Sequence, residues 1–253
     1  MVRMYSAIAK SAKETPDGIE VVSAIRRVAL LEPGRAQSLA PYKLWFGIAG
    51  EDLAAGEHVL RIILRTPAGE QAALKAQSVS RNGMITGSYT FGAAGPTQVG
   101  TYEFVYAVDD TNIGVEKLEV VRASGAACAT FFVYRQDMQG ITQGDKYIRG
   151  SLGFEVMNGD AYVGRFGVGI WQPQGLDSTE DELDLHLPSA RFDSPSFRAA
   201  VRAAHDHYVL AMFGGKFPKG GEIKMANNIF ADSFSVDFEL ADVEPRSPSG
   251  GGW

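Results

Sequence analysis

The sequence predicts a mostly β protein in two parts. Residues 1–122 read as a β-sandwich. Residues 129–242 read as a β-rich (α+β) domain with a hairpin, one long helix at about 195–213 and a final strand, followed by a flexible tail over 243–253. Three observations carry this. Before residue 122, about seven short runs alternate apolar and polar residues, the period of a strand with one buried face. Asn82-Gly83 and Asn158-Gly159 each stand between two such runs, where a tight hairpin turn needs positive φ. Only one segment repeats its apolar residues at helical spacing: Phe197, Val201, Ala204, Tyr208 and Met212.

In chain order, "IEVVSAIRRVAL" (19–30) is rich in β-branched residues, and "YKLWFGIAG" (42–50) and "HVLRIILRT" (58–66) alternate. "ALKAQSVS" and "MITGSYTF" flank the Asn82-Gly83 turn. "TYEFVYAVD" then places Tyr102, Phe104, Tyr106 and Val108 on one face, and "GVEKLEVVR" (114–122) closes the set. Asp109 and Asp110 follow the Tyr102–Val108 run. Neighbouring residues on a continuing strand diverge, whereas paired acid–base carboxylates must converge on one substrate. With Thr111, Asn112 and Gly114 behind them, the two aspartates read as a turn.

"TPDGIEVVSAIRRVAL", "APYKLWFGIAG", "GEHVLRIILRTPAGE" and "GTYEFVYAVDD", in this order and spacing, resemble an uncharacterised bacterial family of small β-sandwich proteins. The resemblance covers about the first 120 residues and rests on turns and alternating strands. It implies an immunoglobulin-like fold for residues 1–122 and brings no catalytic residues with it. The second half is not recognised in this way.

In that second half, "ATFFVYRQD" (129–137) reads as a strand and "RGSLGFEVMNGDAYVGRFGVGIW" (149–171) as a hairpin. An acidic polar stretch follows at 172–193. Ser194 or Asp193 can cap the helix, Pro195 suits its first position, and Gly214-Gly215 end it. The strand "SFSVDFELAD" (233–242) comes last. "MYSAIAKSAKETPDGIEVVSAI" and "FFVYRQDMQGITQGDKYIRGSLGF" each run strand, polar stretch, strand, a weak echo between the halves.

Composition narrows the function. Of 253 residues, 45% are hydrophobic and 21% charged, the mix of a globular protein, and no apolar run is long enough to span a bilayer. "MVRMYSAIAKSAKE" has no long apolar stretch, so no secretory leader is expected. Cys128 is the single cysteine, which rules out an intrachain disulfide and a cysteine-based metal site and points to the cytoplasm. Residues 1–122 carry 13 basic and 13 acidic side chains; residues 123–253 carry 11 and 17, so the net −6 lies in the second half. A nucleic-acid surface needs a basic patch, and no nucleic-acid partner is expected.

The candidate chemistry is sparse. His205-Asp206-His207 lies in the helix, where positions i and i+2 stand ~200° apart and cannot share a metal ion. Asp177, Glu180, Asp181, Glu182 and Asp184 lack the spacing of a calcium loop, and Thr179 with Glu182 reads as a helix capping box. Gly164, Gly167 and Gly169 lie in an alternating strand, where glycine permits close approach of another element. Cys128 reads as a small buried side chain. No nucleophile elbow, phosphate loop or dinucleotide fingerprint is present.

The exposed aromatics are the stronger lead. Tyr42, Trp45 and Phe46 cannot all face one core, and the Tyr102–Val108 strand is apolar on both faces, as in a central strand or a contact surface. The expected function is therefore non-enzymatic: a cytoplasmic binding or assembly protein, without cofactor, metal or membrane, that meets a protein partner or a second copy of itself. Trp45, Phe46, Tyr106 and a tail anchor at Trp253 are its contact residues. The alternative is a small-ligand-binding protein or hydrolase with a site between the two domains, built from Asp184, His186, His205 and the Gly164–Gly169 strand.

Overall fold

A computed structural model of the chain describes residues 2–15, 18–51, 53–75, 78–91, 95–132, 147–173, 184–213 and 234–243. The protein is mostly β, with one α-helix among the described residues. It divides into two compact units: residues 1–123 with 160–164, and residues 124–159 with 165–253.

The first unit contains β1 (Val2–Thr15), β2 (Gly18–Ile25), β3 (Arg27–Leu30), β4 (Lys43–Gly50), β5 (Gly56–His58), β6 (Leu60–Arg65), β7 (Gln71–Lys75), β8 (Ser78–Ser80), β9 (Met84–Thr90), β10 (Gly100–Val108) and β11 (Thr111–Arg122). One sheet has the order β2-β1-β4-β9, a second runs β3-β11-β10-β6-β7, and β5 and β8 form a short ribbon. The run expected as one strand over 19–30 breaks at Arg26. β2 pairs with β1, while β3 lies in the second sheet, parallel to β11.

The two sheets face each other as a sandwich. Strand alternation sends Ile8, Leu44, Phe46, Ile48 and Ile85 inward from the first sheet and Leu60, Ile62, Tyr106, Leu118 and Val120 inward from the second, all 0–1% exposed. Phe46 meets Tyr106 with ring centroids 5.9 Å apart, and Phe91 meets Phe104 at 5.8 Å. Ser6 Oγ and Tyr106 Oη share a hydrogen bond of 2.8 Å across the interior. Near the start of β10, the Tyr102 hydroxyl oxygen accepts the backbone N–H groups of Thr97 and Gln98 at 3.1 and 3.0 Å.

Turn chemistry sets the register. Asn82 and Gly83 have φ of 53° and 73°, and Arg81 pairs with Met84 around them, as the Asn-Gly reading required. Asp109 and Asp110 have φ of 47° and 66° and form the β10–β11 turn. Each has a partner outside the turn, which compensates a conformation that only Gly, Asn and Asp visit readily.

The second unit contains β12 (Ala126–Phe132), β13 (Tyr147–Asn158), β14 (Ala161–Pro173, its first residues counted with the first unit), β15 (Asp184–His186), α1 (Pro195–Phe213) and β16 (Phe234–Glu239). Its strands run β16-β12-β13-β14, with β15 beside β14. The Phe197 N–H donates to Ser194 Oγ at 3.2 Å, so Ser194 caps α1 and Asp193 instead pairs with Arg198 at 2.8 Å. Phe197, Ala200, Val201 and Ala204 form the buried stripe of α1. They close on a cluster of Phe131, Phe154, Phe166, Phe192 and Phe238, with neighbouring ring centroids from 4.8 Å (Phe197–Phe238) to 6.3 Å (Phe131–Phe197). Such offset and edge contacts add stability beyond the area they bury.

β12 alternates cleanly: Ala127, Ala129 and Phe131 are buried, while Cys128, Thr130 and Phe132 are half-buried on the other face. Cys128 is thus not the buried side chain expected. It stands opposite Asp237 and Met157, and burial followed by Asp237 raises its thiol pKa, which keeps it protonated. On the same face Phe132 lies flat on Gly153, where a Cβ would overlap the ring, and the Arg165 guanidinium stacks 4.1 Å from the ring centroid.

Candidate interaction surface

Sheet β2-β1-β4-β9 has one face in the sandwich, so its other face defines a surface. The register places Arg3, Tyr5, Ala7 and Ala9 of β1 there, beside Ala49, Gly47, Trp45 and Lys43 of β4. Thr86, Ser88 and Thr90 continue it on β9. Two aromatics rise from a floor of small residues. Tyr5 is 40% exposed. Trp45 is half-buried, and its indole N–H donates to the Ala9 carbonyl at 3.1 Å, so the ring's polar atom is satisfied within the sheet and its faces remain apolar. Lys43 Nζ lies 5.8 Å from the Trp45 ring centroid.

The same sheet carries a β-arm. The ladder between β1 and β4 ends at Ala9–Lys43, whereas β1 pairs with β2 out to Thr15–Gly18. Among the described residues, Ser11–Thr15 therefore belong to a two-stranded ribbon, a form that is marginal in water without further cover. Ser11, Lys13, Glu20 and Val22 are exposed along it, Val22 by 56%. β2 is the outermost strand of its sheet.

Of the contact residues expected from sequence, Trp45 stands on this surface. Phe46 and Tyr106 do not; both are fully buried, facing each other inside the sandwich. Strand parity decides this, because Phe46 follows Trp45 and must point the opposite way. Burial raises the Tyr106 hydroxyl pKa, more than its bond to Ser6 lowers it, so it stays neutral. Trp253 lies outside the described residues. The two-sided apolar character of β10 is that of a central strand: Val105 and Ala107, on the face away from Phe46, are 3% and 6% exposed, and β6 and β11 flank it. On that outer face Glu103 pairs with Arg65 at 3.8 Å and Lys117 at 3.2 Å, and Val105 stands between Ile63 and Val115.

Of the residues of the alternative reading, Asp184, His186, His205, Gly167 and Gly169 fall in the second unit, and Gly164 is counted with the first. Asp184 and His186 share a face of β15, opposite Trp171 and Gly169, and His186 is exposed. His205 lies in α1, its side chain outside the described residues. Gly167 and Gly169 share a face of β14, and a Cβ at Gly169 would stand 3.2 Å from that of His186, the close approach that glycine permits. Among the described residues, no three His, Cys, Asp or Glu side chains gather as a metal site requires.

A polar cluster that the sequence did not announce sits at the β10–β11 turn. His58 Nδ1 lies 2.8 Å from Asp109 Oδ2, and Nε2 lies 3.0 Å from the Ala54 carbonyl. Asp109 Oδ1 accepts the Val59 N–H at 2.9 Å, and the Asp109 N–H donates to the Val59 carbonyl at 3.0 Å. Asp110 pairs with Arg61 at 2.5 Å. The bond to Asp109, then that to Ala54, raises the His58 pKa; the bond from His58, then that from Val59, lowers that of Asp109. Its signal was a lone histidine in "GEHVL" and the Asp-Asp pair about fifty residues on, which only the fold brings together.

No helix among the described residues is long and apolar enough to cross a membrane. Comparison with family models, with curated proteins and with solved structures finds no match.

Proposed function

We propose that the chain is a non-enzymatic binding or assembly protein of the cytoplasm that meets a protein partner, or a second copy of itself, through sheet β2-β1-β4-β9. The observation that carries this reading is the outer face of that sheet, where Tyr5 and Trp45 stand on Gly47, Ala7, Ala9 and Ala49. Ala9 and Gly47 are themselves buried, so the contact area comes from the two aromatic rings, which supply it at low conformational cost, with the Trp45 indole N–H already bonded within the sheet. The β1–β2 arm extends the same sheet and offers a strand edge for pairing.

In this reading the first unit is immunoglobulin-like. The switch of chain from β2 into β3, the parallel β3–β11 pairing, and the Tyr102 hydroxyl tied to backbone a few residues upstream support that assignment.

Sedimentation of the full chain over a wide concentration range, with capture from lysate beside it, tests the proposal. Self-association or a captured partner that is lost in Trp45→Lys, while the variant keeps its fold, is expected. A chain that stays monomeric and captures nothing, or whose contacts survive Trp45→Lys unchanged, overturns it.

A further inference from the structure

Both oxygens that face the His58 ring are acceptors. Asp109 Oδ2 lies 2.8 Å from Nδ1 and the Ala54 carbonyl 3.0 Å from Nε2. A carboxylate and a carbonyl have no hydrogen to give, so both contacts are hydrogen bonds only when both ring nitrogens carry one, in the imidazolium. Asp109 remains the anion, since its second oxygen already takes the Val59 N–H and its pKa is held below the usual range by His58 and Val59.

We propose that His58 is a proton-operated latch, which as imidazolium holds the segment entering β5 against the β10–β11 turn and as neutral imidazole lets go of the Ala54 carbonyl. When the proton leaves, the hydrogen that remains stays on Nδ1, facing the charged acceptor. The Nε2 lone pair then opposes the Ala54 oxygen, and the contact becomes repulsive. Among the described residues, the segment is otherwise held at its two ends: β5 pairs with β8 over three residues, and Leu53 is buried with its N–H donating to the Gly50 carbonyl at 3.1 Å, while Ala54 between them is exposed. The double backbone and side-chain tie between Asp109 and Val59 does not depend on the ring, so the turn stays in place while the segment is released. Among the described residues the other charges nearby are Glu51 before the segment, Glu57 on β5, Arg81 after β8, Arg61 on β6 and Asp110, the last two paired with each other, and of these charged groups and Asp109 only Asp109 acts on the His58 proton; Asp52 lies outside the described residues. The latch stands independently of the interaction reading.

Long-range proton–nitrogen NMR of the full chain, with His58→Gln to assign the ring, reads the protonation directly. Hydrogen exchange at amides 54–58, corrected for intrinsic rates, reads the release. The expected result is a doubly protonated His58 at mildly acidic pH, a titration midpoint above that of free imidazole, and loss of protection at 54–58 with the same midpoint. Asp109→Asn lowers that midpoint, and His58→Gln abolishes the step. A His58 that is neutral at mildly acidic pH, or protection at 54–58 that shows no step as the ring titrates, overturns the proposal.

Discussion

Asp109 and Asp110 show how residue chemistry and position combine. As neighbours they cannot act as a convergent acid–base pair; as a turn they direct one carboxylate to His58 and the other to Arg61. The sign of the pH effect follows from the two shifts. The raised His58 pKa stabilises the fold fully below its usual value and is lost as pH rises through the folded value. The lowered Asp109 pKa stabilises the fold above its usual value and is lost as pH falls through the folded one. The pair therefore contributes most between about pH 4 and about pH 6.5. Thermal melts should show the deficit of Asp109→Asn at its largest in that window and smaller on either side. Inside the sandwich, Phe46→Ala should cost about 3–5 kcal/mol in denaturant unfolding, because the ring is fully buried against Tyr106. Tyr106→Phe, which leaves Ser6 without its partner, should cost about 1–3 kcal/mol.

At the scale of elements, local signals with a single physical meaning were legible. Asn82-Gly83 demanded positive φ and has it, and the Ser194-Pro195 start of α1 followed from capping chemistry. Ser194→Ala should lower stability by about 1 kcal/mol, measured by chemical denaturation. Gly153→Ala should destabilise as well, since the Phe132 ring occupies the place of the new methyl group; replacing Phe132 with Ala in the same chain should relieve that steric part of the loss. What could not be read were features decided by distant pairing. The polar run Ser11–Glu14 looked like a connection between strands, but it is strand because β2 pairs along it. The break at Arg26 was hidden because both of its sides have strand composition, and only the sheets they join tell them apart. The burial of Phe46 and Tyr106 needed the facing sheet, although the parity of Trp45 and Phe46 already implied that one of them must point outward.

At the scale of the whole molecule, the polar groups of the described residues serve turns, caps and cross-strand pairs, and of the exposed large apolar side chains Tyr5 and Val22 belong to sheet β2-β1-β4-β9 while Val59, Val79, Val99, Val115 and Val243 lie elsewhere. That division of labour is the basis for reading the chain as an interaction protein. The surface that expresses it was half legible: Trp45 stood out as an aromatic in an alternating strand, whereas Tyr5 and the β1–β2 arm emerged only when β1 was seen to pair with both β2 and β4. The most direct test is hydroxyl-radical footprinting of the full chain, dilute and then concentrated or with a captured partner. The account predicts that Tyr5 and Trp45 become protected together as the complex forms, while the exposed Val115 on the other sheet keeps its reactivity. If the complex forms and Tyr5 and Trp45 react as they do in the free chain, the interaction lies elsewhere and the assignment of this sheet is contradicted.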